Sequence, residues 1–164
     1  MMTAMKFSHD LSYDAAPEAV AEMLADPAFR EKVCVAMHAT RWDVTVDGSG
    51  AGMRVVIDQT QPARSIPSFA KKVVGDEIRI VQTETWTGPS TASLELSIPG
   101  KPGGFDGQVV LRPAGTGTRE TVTGEAKVRI PLVGGKLEAL VEELLRAALR
   151  TEERVGREWL AGNR

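Results

Sequence analysis

Over residues 6–13 the side chains alternate, with Phe7, His9, Leu11 and Tyr13 on one side and Lys6, Ser8, Asp10 and Ser12 on the other. A period of two marks a strand with one buried face. The period then lengthens. In DAAPEAVAEMLADPAFREKVCVAM, Asp14 is placed to cap a helix, Pro17 falls near its first turn, and Val20, Met23 and Leu24 form an apolar face. Asp26 and Pro27 interrupt the run, so the pattern predicts two short helices meeting at a bend, the second carrying Phe29, Val33, Cys34 and Met37.

Alternation returns at Trp42, Val44 and Val46, pauses at the turn DGSGAG, and resumes with Met53, Val55 and Ile57, which is a hairpin. Gln59 continues that face and marks where it turns polar. QPARSIPSFAKKVVGD holds two prolines and predicts a single helical turn from Ser68 to Val74, stopped by Gly75. In EIRIVQTETW, Ile78, Ile80, Gln82, Glu84 and Trp86 share a face; Ala92, Leu94, Leu96 and Ile98 share the next. Phe105, Val109 and Leu111 follow PGKPGG. After PAGTG comes a long strand with Val122, Gly124, Ala126, Val128 and Ile130 on one side, ended by Pro131 and the glycines at 134 and 135. The last pattern is helical, from about Lys136 to Trp159. At about 100° per residue, Leu137, Leu140, Val141, Leu144, Leu145, Ala148, Val155 and Trp159 fall on one arc.

The order is therefore one strand, two short helices, six strands and one long helix, an α+β arrangement. Short turns make the strands antiparallel neighbours, and a seven-stranded sheet with one apolar face needs a cover. Only the last helix, about 36 Å long at 1.5 Å per residue, can lie across it. The small residues Gly124 and Ala126 are expected to leave room in the concavity.

Residues 1–164 suit one domain with a core large enough to need no staples. Twenty basic against twenty-two acidic residues, with no long run of either sign, leave no footprint for nucleic acid. Cys34 is the only cysteine, so an internal disulfide or a thiolate cluster cannot form. MMTAMKF has no apolar run long enough for a signal peptide, and nowhere do eighteen uncharged apolar residues follow one another. A cytoplasmic protein without stable membrane insertion is the expectation.

The order of elements resembles the helix-grip fold of the START-like (SRPBCC) superfamily, which includes the birch-pollen allergen family, polyketide cyclases and aromatases, and lipid-transfer domains. SYDAAPEAVAEMLADPAF and IPSFAKKVVGDEIRIVQTETW look like an uncharacterised bacterial family within it. The resemblance covers nearly the whole chain. It implies a curved sheet gripping the C-terminal helix, with a cavity that in relatives holds sterols, lipids, polyketides or plant hormones. It implies no reaction, because the superfamily has no shared catalytic residue to carry over.

Candidate chemistry must then come from inward positions. The walls expected to touch a guest are Met53, Val55, Ile57, Ile80, Leu94, Leu96, Val109 and Val122 from the sheet, with Val141, Leu144, Leu145 and Ala148 from the last helix. His9 either points inward as a polar anchor or base, or is a satisfied core or sheet-edge histidine. Gln82 and Glu84 share the inner register, where an acid must reach the cavity rim or pair with an arginine. Thr151 and Glu152 interrupt the helical arc. They either face water or a ligand hydroxyl, or Glu152 leans out of the edge of the stripe to solvent, a reading the wheel narrowly favours.

Cys34 and His38, four apart on a predicted helix, share a side, but packing explains them better than a nucleophile or a metal site. GSGAG at 48–52 follows no buried parallel strand, so it is a hairpin turn rather than a phosphate loop. SFAKKVV is a candidate gate. No cofactor, metal or catalytic constellation is expected. The leading function is binding or carriage of an apolar small molecule of lipid, sterol or polyketide-like kind. The alternatives are a cyclase/aromatase-like enzyme and a protein-interaction domain with a filled core.

Overall fold

A computed structural model describes residues 3–64, 66–130 and 134–164. Strand β1 (Thr3–Tyr13) leads into α1 (Pro17–Leu24) and α2 (Pro27–Ala36), and then β2 (Arg41–Asp47) and β3 (Arg54–Pro62) form the hairpin. Helix α3 (Ser68–Val74) precedes β4 (Glu77–Trp86), β5 (Thr91–Ser97), β6 (Gly103–Ala114) and β7 (Gly117–Val128), and α4 (Gly134–Leu160) closes the chain. The strands form one curved antiparallel sheet in the order β1-β7-β6-β5-β4-β3-β2, so the edges are β1 and β2. Pro131, expected to end the last strand, lies outside the described residues.

Local chemistry accounts for the bend between the first two helices. The Asp26 carboxylate accepts a hydrogen bond from the Ala28 amide at 2.9 Å, and Pro27 opens α2, so one helix stops where the next is capped. At α3, Gly75 takes φ 83°, a left-handed value suited to glycine, and its amide closes on the Lys71 carbonyl at 2.8 Å. Helix α4 crosses β1 closely because Gly156 has no side chain: a Cβ there would sit 2.7 Å from the Tyr13 ring.

The concavity is filled unevenly. Phe7, Tyr13, Phe29, Trp86, Phe105 and Trp159 belong to one buried cluster, with Phe7 edge-on to Phe105 and Phe29 edge-on to Trp159. A second cluster, built around Ala63, Ile66, Ala70, Ile78, Val128 and Leu137, contains no aromatic ring. Trp42 and Phe69 are both 39% exposed, so no aromatic side chain fills that second region. The room expected beside Gly124 and Ala126 is not there. The Phe105 ring lies across Gly124, where a Cβ would come within 2.6 Å of it, and Ala126 is fully buried. Open space lies instead toward the aromatic-free end, between α2, α3, the Leu137 to Glu152 stretch of α4 and strands β3, β4 and β5.

Candidate functional site

A cavity of about 530 Å³ occupies that end. This falls within the range of about 300–1,000 Å³ typical of small-molecule pockets. Its sheet wall includes Ile57, Ile78, Ile80, Leu96 and Ile98, its roof Leu140, Val141, Leu144, Leu145 and Ala148, and its end wall Ala70, Val73 and Val74 of α3. Alternation along β3 and β4 aims these side chains inward, and the 3.6-residue period of α4 lowers its stripe onto them. The lining residues that are themselves exposed mark its openings: His38 and Ala147 on the α2 and α4 rim, Arg64 and Lys101 on the loops after β3 and β5.

Sequence-derived wall residues divide between the two ends. Ile57, Ile80, Gln82, Leu96, Val141, Leu144, Leu145, Ala148 and Glu152 line the cavity. Met53, Val55, Leu94, Val109 and Val122 share inward faces with them but are packed into the aromatic-filled half, away from the space. Alternation fixes which face a side chain takes, not how far along the strand the filling stops. His9 lies at the seam where α4 crosses the edge strand β1. Its ring stacks on Phe7, and its Nδ1 is 3.1 Å from an Arg146 guanidinium nitrogen, outside the cavity lining. Burial first, then Arg146, holds its pKa below the ordinary histidine value.

Glu152 does not lean out to solvent. It is 9% exposed, lines the cavity, and lies 3.4 Å through Oε1 from an Arg30 guanidinium nitrogen. An inward partner for the carboxylate on α2 outweighs the outward reach available to a long side chain at the stripe's edge. Thr151 also reaches the lining, with its hydroxyl donating to the Ala147 carbonyl at 3.2 Å in its own helix.

Arg30 organises the floor of the cavity. Its second terminal nitrogen donates to Glu84 Oε1 at 2.7 Å, and its Nε donates to the Leu24 carbonyl at 2.7 Å. Glu84 also accepts from the Trp86 indole at 3.1 Å and from the Gln82 amide at 2.6 Å. Burial works against the guanidinium charge, but Glu84 and Glu152 overcome it, so its pKa rises.

Glu120 of β7 approaches the same cluster. It is 3% exposed, and its Oε1 has no hydrogen-bond partner among the described residues; the Tyr13 hydroxyl also lacks one. Three carboxyl groups around one guanidinium cannot all ionise in a dry site. Burial, followed by the charge of Glu152, raises Glu120 well above the carboxylate range, while burial raises Glu152 to about 7 against the pull of Arg30. Burial and the charge of Glu120 likewise raise the Tyr13 phenol.

Sequence reasoning missed Arg30, although it sits on the stripe of Val33, Cys34 and Met37 at helical spacing. It also missed Glu120, which shares the parity of Val122 once β7 is extended back to Gly117. Cys34 and His38 both touch the lining, but not as neighbours on one helix: α2 ends at Ala36, and His38 takes φ 62° beyond it. Burial pushes the Cys34 thiol up to about 11, which leaves little thiolate for nucleophilic chemistry near neutrality.

The curved antiparallel sheet closed by a C-terminal helix over an apolar space defines the class: the chain has the helix-grip fold. More narrowly, the chain belongs to the family described as "Protein of unknown function (DUF2505)", which matches residues 8–160. The uncharacterized protein Rv0481c of Mycobacterium tuberculosis is 30% identical over 122 residues, which span 71% of this chain and 70% of that protein. The Zhui aromatase/cyclase of a Streptomyces strain superposes with a TM-score of 0.65 at 15% identity, all of each chain being covered. The di-domain aromatase/cyclase StfQ of the steffimycin biosynthetic pathway gives 0.69 at 13% identity, over 97% of this chain and 52% of that one. Norcoclaurine synthase of Thalictrum flavum gives 0.65 at 12% identity, over 98% and 88%. At these identities the likeness is one of fold. No described helix is long and apolar enough to cross a membrane.

Proposed function

We propose that the protein binds and carries an apolar small molecule, of lipid, sterol or polyketide-like kind, in the space between the sheet and α4. The observation that carries this reading is the cavity of about 530 Å³, walled by aliphatic side chains and left open by a core whose buried aromatic rings all lie at the other end. Packed interiors rarely keep voids larger than a water molecule, so a space of this size at the end of a close-packed sheet suits a guest. It favours this reading over a protein-interaction domain with a filled core. Native mass spectrometry of the purified protein, followed by solvent extraction, tests the reading. A co-purified apolar compound, or uptake of one added, is expected. Failure to take up any lipid, sterol or aromatic probe overturns it.

A second reading, a cyclase/aromatase-like enzyme, draws support from Glu152, a cavity-lining carboxyl raised to about 7 and therefore able to give or take a proton near neutrality. Turnover of a bound polyketide-like chain that disappears in Glu152→Gln, with binding retained, distinguishes it from carriage alone.

A further inference from the structure

The two ends of the cavity differ in charge. At the floor, each of the three Arg30 nitrogens that can donate outward is directed at a partner already present: Nε at the Leu24 carbonyl, one terminal nitrogen at Glu84, the other at Glu152. The next charged groups inward are carboxyls, Glu84 and Glu120, and no uncommitted cation faces the floor among the described residues. An anion pushed to this end meets the Glu84 carboxylate, and the Arg30 guanidinium beside it is already directed at Glu84, Glu152 and the Leu24 carbonyl. At the opposite end, the lining carries Arg64 on the loop after β3 and Lys101 on the turn after β5, both exposed. Among the described residues neither has a carboxylate within ion-pair distance, whereas Arg41 and Arg79 nearby on the sheet are paired with Glu77 and Asp58. Among the described residues, Glu152 is the only acidic one in the lining, and it belongs to the floor.

We propose that the guest is an amphiphile with one negatively charged head, which stays at the mouth beside Arg64 and Lys101 while its apolar body runs inward toward Gln82 and Glu152. The inference rests on the binding reading above and specifies the ligand class. A carboxylate or phosphate head at the mouth keeps its hydration on the open side and gains two cations that have no other partner. The aliphatic walls take the tail, whose burial is favourable by about 25 cal/mol per Å² of apolar surface. Head-in binding would strip water from an anion and set it against the Glu84 carboxylate, which is costly in a site of low dielectric. A cationic head has no favourable position in this orientation, because the mouth repels it.

Displacement of the neutral dye Nile red by dodecanoate, dodecanol and dodecyltrimethylammonium, which share one tail, tests the orientation. Two exposed cations give an advantage of about three- to tenfold, so dodecanoate is expected to displace the dye at that much lower concentration than dodecanol, with the trimethylammonium weakest. In the Arg64→Gln/Lys101→Gln double variant the dodecanoate advantage is lost while dodecanol is unchanged, and raised salt has the same effect on the wild-type protein. Equal displacement by dodecanol and dodecanoate in the wild-type protein, or an advantage that survives the double substitution, overturns the proposal and leaves cavity binding intact. A protein that takes up neither dye nor any of the three overturns the binding reading, and this proposal with it.

Discussion

The Arg30 guanidinium lies 2.7 Å from the Glu84 carboxylate, on elements 54 residues apart in the chain, where neither side chain is more than 4% exposed. Such a pair ties α2 to the inner face of β4 and so sets the depth at which the helix seats. Removing one partner leaves a buried charge uncompensated, at a cost of about 3–5 kcal/mol. Arg30→Met is expected to lower the stability by that amount in urea denaturation. Glu84→Gln, which keeps an acceptor for Trp86 or Arg30 but sets its own amide donor beside that of Gln82, is expected to cost less, about 1–3 kcal/mol.

The same cluster predicts how stability depends on pH. Glu120 and Glu152 are both raised in the folded protein, so each binds its proton more tightly there than in the unfolded chain. The contribution of such a group is fully present below its unfolded pKa near the ordinary 4.5 and is lost as pH rises through the folded value, about 7 for Glu152. These two groups are expected to lower the urea midpoint between about pH 5 and pH 8, opposite in sign to the acid denaturation produced by salt-bridged carboxylates and to the contribution of His9, whose depressed pKa acts below about 6.5. Glu152→Gln should flatten the profile around 7. A midpoint that rises steadily over this range would contradict the assignment.

Glu152 also shows where reading the sequence reaches its limit. Hydrophobic periodicity located the strands, the bend at Asp26 and Pro27, and α3 with its stop at Gly75, because each is fixed by neighbours along the chain. The inward register of Glu84, and its need for an arginine, were equally legible. What was not legible is the meeting of residues from four elements: Arg30, Glu84, Glu120 and Glu152 lie on α2, β4, β7 and α4. The helical wheel shows Glu152 at the edge of a stripe and nothing of the guanidinium opposite. The position of the cavity escaped for a related reason. Gly124 looked like space from its own strand, but Phe105, one strand over, fills it.

Gly156 supplies a third prediction. In an exposed helix interior, Gly→Ala gains about 1 kcal/mol of helix propensity. Here the new methyl would meet the Tyr13 ring at 2.7 Å and the Met23 side chain at 3.1 Å. Overpacking costs about 1–3 kcal/mol, so Gly156→Ala should destabilise rather than stabilise. Thermal unfolding of the variant gives the sign directly.

The uneven filling of the concavity gives the last. Ala126 and Ala148 are both small residues on surfaces that face the interior, one opposite Phe105 in the sheet and the other on the roof of the cavity. With space beneath α4 and close packing in the other half, the same enlargement has opposite consequences at the two sites. Ala126→Leu forces extra atoms against rings that have no room to move and should cost about 1–3 kcal/mol. Ala148→Leu adds apolar surface where there is room, so stability should hold or rise, while uptake of Nile red weakens because the added side chain takes part of the space. Equal destabilisation at both positions would mean that α4 rests on a packed core, and would leave the carried molecule with nowhere to sit.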